Sequence, residues 1–129
     1  MSYLFDSSAL LNIVKRRKAR TLAGHTIYLA FYEIVNAVWK ETFLVRSLPE
    51  ETALELLRNA ITAWRTLPKV EVEETEVFAK AKEYMVTAYD AAYLAAALKN
   101  NFVLVTDDSK LRSIERGISS QDYIEAYGG

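Results

Sequence analysis

The pattern of apolar and polar positions predicts short strands that alternate with helices. Apolar runs at residues 2–5 and 102–105 indicate buried strands, and "HTIYLA" and "KVEVEE" indicate two more. A last short strand is expected to begin near Ile118. Strands that alternate with helices are typical of βαβ units, and therefore of a parallel sheet covered on both faces.

Apolar residues at helical spacing predict the segments between these strands. The predicted helices are "ALLNIVKRRK", "FYEIVNAVWKETFLVR", "SLPEETALELLRNAITAW", "TEVFAKAKEYM", "TAYDAAYLAAALKN" and a short helix from Ser109. We therefore expect a single domain over residues 1–129. Its expected fold is α/β, a three-layer sandwich in which helices flank a central, mainly parallel sheet of about four to five strands.

Composition and charge exclude several classes of protein. The chain has no Cys, which excludes disulfides and thiolate metal sites, and its one His cannot form a His-rich zinc site. The formal net charge is -1, so any contact with nucleic acid must come from local patches. No apolar stretch approaches the roughly 18 residues that span a bilayer, and we expect a cytoplasmic protein without membrane contact.

Carboxylates stand where the predicted strands end and where two helices begin. Asp6 follows the first strand, Asp107 and Asp108 follow the strand at 102–105, and Glu33 and Asp90 lie near helix starts. In open parallel sheets, ligands bind outside the carboxyl ends of the strands. Taken alone, each acid also has a purely structural explanation: a helix cap for Asp6, Asp90 and one of the two adjacent acids, and a solvated helix face for Glu33.

The convergence of these acids on one crevice favours a bound cation. Carboxylates that share a crevice raise each other's pKa values unless a cation offsets their repulsion. Oxygen ligands suit Mg²⁺ or Mn²⁺ better than zinc. Such a metal can activate a water and stabilise charge on a phosphoryl group.

Four short segments, in this order, carry features of one family. They are "YLFDSSALL", "YEIVNAVWK", "YDAAYLAAAL" and "LVTDDSKL". Together they resemble the PIN-domain ribonucleases, most closely the VapC-type toxins of toxin–antitoxin pairs, over nearly the whole chain. The T-x-D spacing of the last segment selects Asp108 as the fourth acid and leaves Asp107 as the alternative.

The resemblance implies a Mg²⁺- or Mn²⁺-dependent endoribonuclease, a hydrolase that cleaves phosphodiester bonds of RNA with a metal-activated water. The implied catalytic residues and metal ligands are Asp6, Glu33, Asp90 and Asp108. The implied supporting residues are Ser8, Asn36 and Thr106. Two alternatives stay open: a catalytically silent PIN-like module that binds RNA or protein, and a nuclease for RNA maturation.

Basic and aromatic residues add expectations about the substrate. The residues expected to contact substrate phosphates, because their segments begin near the acids, are Lys40, Arg46, Lys110 and Arg112. The denser cluster "KRRKAR" ends a helix and is expected roughly 15 Å from the acids, since a helix rises about 1.5 Å per residue. Tyr89 and Tyr93 are candidates for stacking on bases.

The expected protein partners are a cognate antitoxin and a second copy of the chain in a homodimer. Residues 48–67 are rich in Leu, with Ile61 and Trp64. These side chains either belong to the core or form part of a groove for a partner helix.

Overall fold

A computed structural model describes residues 2–114 and 117–127. The elements in chain order are β1 (Tyr3–Phe5), α1 (Ser7–Lys15), a 3₁₀ turn (Ala19–Thr21), α2 (Leu29–Trp39), a π-helical turn (Lys40–Leu44), α3 (Glu50–Thr66), α4 (Glu74–Tyr84), α5 (Ala88–Asn100), β2 (Val103–Val105), α6 (Ser109–Ile114) and α7 (Ser120–Tyr127). The helices predicted from the sequence are all present. No helix of the described ranges combines the length and the apolar character needed to cross a membrane.

The sheet of the described residues is smaller than the sequence predicts. β1 and β2 pair in parallel, with Leu4 opposite Leu104 and Phe5 opposite Val105. Three isolated parallel bridges extend this pair, joining Leu4 to His25, Thr26 to Lys69 and Val105 to Ile118. Over residues 2–114 and 117–127 there are thus two strands with single-residue bridges beside them, and not the expected four to five strands.

Three predicted strands are reduced to single bridges: the one near Ile118 pairs only with Val105, and the other two have different physical causes. In "HTIYLA" only His25 and Thr26 make bridges, and the helix α2 begins as early as Leu29. The apolar run continues from the extended segment into α2, and Tyr28 at its start provides no side-chain cap, so nothing local marks the change. In "KVEVEE" the chain leaves the core after Val70 and its next residues are exposed.

One hydrophobic core joins β1, β2 and the helices around them. α5 contacts both strands and α4 packs on α5, whereas α1 packs against α2, α3 and α7. Seven consecutive residues of α5, Ala91 to Ala97, are buried, and most of them are alanines. Their small side chains let neighbouring elements approach this helix from every side.

The parallel pairing of β1 and β2 brings the acids that follow these strands to one edge of the sheet. Both strands end at the same edge of the sheet, so the residues that follow Phe5 and Val105 emerge together. Asp6 continues the pairing, because its backbone N–H donates to the carbonyl of Val105 at 3.1 Å. The acids that follow the two strands are therefore neighbours in space despite a separation of about 100 residues along the chain.

Candidate active site

Asp6 is a buried carboxylate at the edge of the sheet. It caps α1, and its Oδ1 accepts hydrogen bonds from the backbone N–H of Ala9 at 2.9 Å and from the Ser8 hydroxyl at 2.7 Å. Its Oδ2 accepts a hydrogen bond from the Thr106 hydroxyl. Only 4% of Asp6 is exposed, and this burial raises its pKa from 3.8 to about 6 in spite of the hydrogen bonds, which lower it.

Two hydroxyl groups connect Asp6 to the turn after β2. Thr106 Oγ1 donates to Asp6 and accepts from the backbone N–H of Asp108 at 3.0 Å. Ser8 Oγ donates to Asp6 and accepts from the backbone N–H of Asp107 at 3.0 Å. Ser8 thus contacts the carboxylate that the sequence motif associates with it. Thr106, which the T-x-D spacing associates with Asp108, donates to Asp6 instead, and both hydroxyl groups fix the orientation of Asp6.

Glu33 projects from α2 toward the same region. Its Oε1 accepts hydrogen bonds from the Tyr93 hydroxyl at 2.5 Å and from the Ser7 hydroxyl at 3.3 Å. Burial raises the pKa of Glu33, the two hydrogen bonds lower it, and the charge of Asp90 raises it further. Glu33 is therefore a half-buried carboxylate that is held by hydroxyl groups and faces another acid.

Asp90 and Asp108 form a second pair of interacting acids. Partial burial is the main cause that raises the pKa of Asp90, the charge of Asp108 adds to it, and Lys110 opposes it. Asp108 is exposed, and its Oδ1 caps α6 by accepting from the backbone N–H groups of Lys110 at 2.9 Å and Leu111 at 3.2 Å. Asp108 is therefore a helix cap, and its membership of the acidic site stays a prediction.

Asp107 is bound by a different set of partners. Its Oδ2 accepts from Asn12 Nδ2 at 2.7 Å and from the Ser120 hydroxyl at 2.6 Å, and its Oδ1 accepts from the Ser120 backbone N–H at 2.8 Å. Burial alone would raise the pKa of Asp107, but these hydrogen bonds and the nearby Arg112 hold it below its usual value. The carboxylate of Asp107 thus joins α1 to the start of α7.

The donor set fits a hard divalent cation. Carboxylates interact electrostatically along the edge: Asp6 with Asp107, Glu33 with Asp90, and Asp90 with Asp108. Within residues 2–114 and 117–127, no three acids or His approach closely enough to form a complete metal cage. Mg²⁺ does not require such a cage, because it usually keeps several waters and binds one or two carboxylates together with substrate phosphates.

The remaining predicted residues are placed less uniformly. Lys110 lies close enough to Asp90 to affect its pKa, whereas Arg112 donates to the carbonyl of Thr106 at 3.3 Å and lies 3.9 Å from Asp107. Asn36, Lys40 and Arg46 are exposed. They follow Glu33 along α2 and the turns after it, and the structure connects none of them to the acids.

Tyr93 has a different place from the one expected for a base-stacking residue. Only 2% of it is exposed, and its hydroxyl contacts Glu33, so the ring offers no face to a base. Tyr89 is 63% exposed and remains a stacking candidate. Tyr93 follows Asp90 by three residues and so shares its face of α5, but this spacing does not identify Glu33 as its partner.

The comparison with protein families decides the classification of the fold. The model of the PIN domain matches residues 3–117. The chain belongs to the PIN-domain family. The resemblance predicted from the four sequence segments is therefore confirmed.

Two relatives support the narrower, VapC-type resemblance of this PIN domain. It is 31% identical over 124 residues to Exonuclease VapC9 of Pyrobaculum aerophilum, covering 91% of this chain and 88% of the relative. It is 38% identical over 89 residues to Ribonuclease VapC3 of the same organism, covering 67% of each protein.

Solved structures share the fold of this PIN domain. The crystal structure of PAE2754 from Pyrobaculum aerophilum matches with a TM-score of 0.85 and 26% identity, covering 99% of this chain and 97% of that one. A toxin–antitoxin complex from Klebsiella pneumoniae matches with a TM-score of 0.62 and 16% identity, covering 87% of this chain and 91% of that one. The second likeness is one of fold alone.

Proposed function

We propose that this PIN domain is a Mg²⁺- or Mn²⁺-dependent endoribonuclease and the toxin of a toxin–antitoxin pair. The observation that carries the proposal is the buried Asp6, an ionisable group with a pKa of about 6 at the edge where Glu33, Asp90 and Asp108 also lie. Buried acids with raised pKa values that face other acids are typical of functional sites. The names of the two VapC relatives support nuclease activity.

In this proposal Asp6, Glu33, Asp90 and Asp108 hold the divalent cation. The bound cation would polarise a water for attack and stabilise negative charge on the phosphoryl group. Thr106 and Ser8 orient the Asp6 carboxylate through the hydrogen bonds described above. Lys110 lies close enough to Asp90 to lower its pKa and is the proposed contact for a substrate phosphate.

The mode of cleavage has a second candidate. One relative is named an exonuclease, whereas the sequence motifs led us to expect an endonuclease. Endonucleolytic and exonucleolytic cleavage would use the same acids, so the geometry of the carboxylates is the same for both modes. The choice depends on whether the site requires a free RNA end.

A circular RNA separates the two modes directly. We expect the purified protein to linearise a circular single-stranded RNA in Mg²⁺ or Mn²⁺ and to leave it intact in EDTA. Cleavage of end-labelled linear RNA together with an intact circle would establish the exonuclease. Cleavage that persists in an Asp6→Asn variant would place the active site elsewhere, and inactivity on linear and circular RNA alike would favour the silent binding module.

The proposed partners are a cognate antitoxin and a second copy of the chain, in a cytoplasmic setting. Support comes from exposed apolar residues at the end of the α2–α3 hairpin, where a groove of about 210 Å³ is lined by Trp39, Phe43 and Leu54. Side chains of this kind are typical of helix-binding grooves. The toxin–antitoxin complex that shares the fold is consistent with such a partner.

Two measurements test this part of the proposal. Induced expression of the wild-type chain is expected to arrest growth of a host cell, and expression of Asp6→Asn is expected not to. Light scattering on the purified chain is expected to give twice the mass of 14.6 kDa. Equal growth with both chains contradicts the toxin, and a monomeric mass contradicts the homodimer.

A further inference from the structure

The carboxylate of Glu33 is held through one of its two oxygens. The hydrogen bonds from Tyr93 at 2.5 Å and from Ser7 at 3.3 Å both reach Oε1. Among the described residues, Oε2 accepts no hydrogen bond from a side chain or from the backbone. Oε2 is therefore the oxygen that Glu33 can offer to a ligand without breaking an existing contact.

Tyr93 is the more firmly placed of the two donors. Its ring is 2% exposed, within a stretch of α5 that is buried from Ala91 to Ala97. A phenol in such a position has little rotational freedom, because the close-packed core around it fixes the ring. By contrast, Ser7 has a short side chain, a longer hydrogen bond and only partial burial.

We propose that Tyr93 is a positioning residue, whose hydroxyl fixes Oε1 of Glu33 so that Oε2 stays available to a divalent cation. This inference rests on the metal-dependent function proposed above. It assigns Tyr93 no contact with RNA, because the ring is buried. Groups that orient metal ligands typically change metal affinity by about 10- to 100-fold when they are removed.

Tyr93→Phe is the variant that tests the proposal, because it removes the hydroxyl and keeps the ring. We expect it to weaken Mn²⁺ binding, measured by electron paramagnetic resonance of the free ion, by roughly 10-fold. At saturating Mn²⁺, kcat is expected to recover to within about threefold of wild type, and KM for RNA is expected to stay unchanged. Ser7→Ala is expected to have a smaller effect on Mn²⁺ affinity.

Tyr3→Phe is the matched control. Tyr3 is also a buried tyrosine, but its hydroxyl contacts the hydroxyl of Tyr127 at 2.7 Å and its ring packs on Tyr123 and Tyr127. These contacts involve none of the candidate site acids. We expect this variant to lower the thermal midpoint in EDTA and to leave Mn²⁺ affinity within about twofold of wild type. An equal loss of affinity in both variants, or none in Tyr93→Phe, overturns the proposal.

A measurement without metal separates this inference from the proposed function. In EDTA, the carboxyl ¹³C resonance of Glu33 is expected to shift in Tyr93→Phe and to stay in place in Tyr3→Phe. If the wild-type chain binds no Mn²⁺, the metal-dependent function fails, and Tyr93 loses its role toward a cation with it. If wild type binds Mn²⁺ and the Glu33 resonance is the same in Tyr93→Phe, only the positioning role of Tyr93 is overturned.

Discussion

At the scale of single residues, Asp6 opposes the stability of the fold that contains it. Its carboxylate is charged at neutral pH although only 4% of the residue is exposed. Burial disfavours that charge, and this is the main reason why its pKa rises from 3.8 to about 6. Three hydrogen bonds reduce the penalty without removing it. A group of this kind is typical of sites where stability has been given up for function.

Asp6→Asn is therefore expected to stabilise the metal-free protein. The amide can still cap α1 with its oxygen and donate to Thr106 with its nitrogen, and it carries no charge that burial would penalise. We expect the free energy of unfolding near neutral pH in EDTA to rise by about 1–3 kcal/mol, measured by urea denaturation.

The same variant should respond differently to metal. Mg²⁺ is expected to raise the thermal midpoint of wild type and to leave that of Asp6→Asn unchanged. A lower stability of Asp6→Asn in EDTA would mean that the hydrogen bonds of the carboxylate outweigh its burial.

The two adjacent acids after β2 are expected to differ in what their loss affects. Asp107→Ala leaves donors of Asn12 and Ser120 without their acceptor, and should lower the free energy of unfolding by about 2–3 kcal/mol. Asp108→Asn retains a good cap for α6 and should change the free energy of unfolding by less than about 1 kcal/mol.

Activity should show the reverse order. At a temperature where both variants are folded, cleavage by Asp108→Asn is expected to fall by roughly 100-fold, and cleavage by Asp107→Ala by only a few-fold. The opposite ranking in RNA cleavage would assign the fourth acid to Asp107.

The sequence predicted where these acids lie but not how each is bound. Asp6, Glu33, Asp90 and Asp108 could be selected as candidates because strand ends and motif spacing are local features, and their role as the site acids stays a prediction. The contacts of Asp107 could not, since Asn12 is 95 residues away in sequence and Ser120 lies on a helix whose packing depends on the whole fold. Likewise, the Tyr93–Glu33 contact joins two helices that are 60 residues apart.

At the scale of elements, the sequence predicted the helices better than the sheet. Helical periodicity and breaks in it are visible within a dozen residues, and this was enough for α1 to α6. At His25, Lys69 and Ile118 the sequence pattern predicted full strands, but the structure forms bridges of one residue each, because a local pattern does not show how many residues find a pairing partner. The central pair was visible because β1 and β2 are buried apolar runs.

Gly24 determines how closely the segment before His25 can approach β1. Its φ is +155°, and a Cβ at this position would lie 2.5 Å from the carbonyl oxygen of Tyr3. The backbone N–H of His25 donates to the same oxygen at 2.8 Å, so the strand cannot move away without losing that bond.

Gly24→Ala should therefore lower the free energy of unfolding by roughly 2 kcal/mol or more, in a urea titration. Ala23→Ser, at the exposed neighbouring position, is the control and should stay within about 0.5 kcal/mol of wild type. A Gly24→Ala variant as stable as the control would show that the backbone of β1 can shift to accommodate a Cβ at this position.

At the scale of the whole molecule, the acids make metal-free stability depend on pH. The pKa of Asp6 is raised from 3.8 to about 6, and those of Glu33 and Asp90 are also raised. A raised pKa means that the folded state retains protons that the unfolded state has lost. Its stabilising contribution is thus complete below the unfolded pKa and lost as the pH rises through the folded value.

We expect unfolding free energy in EDTA to fall between about pH 4 and pH 6, by about 3 kcal/mol from Asp6 alone. Asp107 has a lowered pKa and acts in the opposite direction. Its contribution to the free energy of unfolding is lost as the pH falls from the ordinary pKa of an aspartate through the lowered pKa of the folded state. Urea denaturation across this range measures the slope. The Asp6→Asn variant should flatten it, and an equal slope in that variant would assign the dependence to other groups.

The hydrogen bond between Thr106 and Asp6 has a consequence for the order of events during synthesis. Asp6 leaves the ribosome together with its local partners Ser8 and Ala9, but Thr106, which donates to its second carboxylate oxygen, follows about 100 positions later, roughly 5–20 s at ordinary rates of translation. In the same way, β1 can pair only after β2 has been synthesised, and Asp107 can accept its hydrogen bond from Ser120 only after Ser120 has been added. A nascent chain therefore holds Asp6 through one carboxylate oxygen only until Thr106 has emerged, and the acids after β1 and β2 come together only after that point.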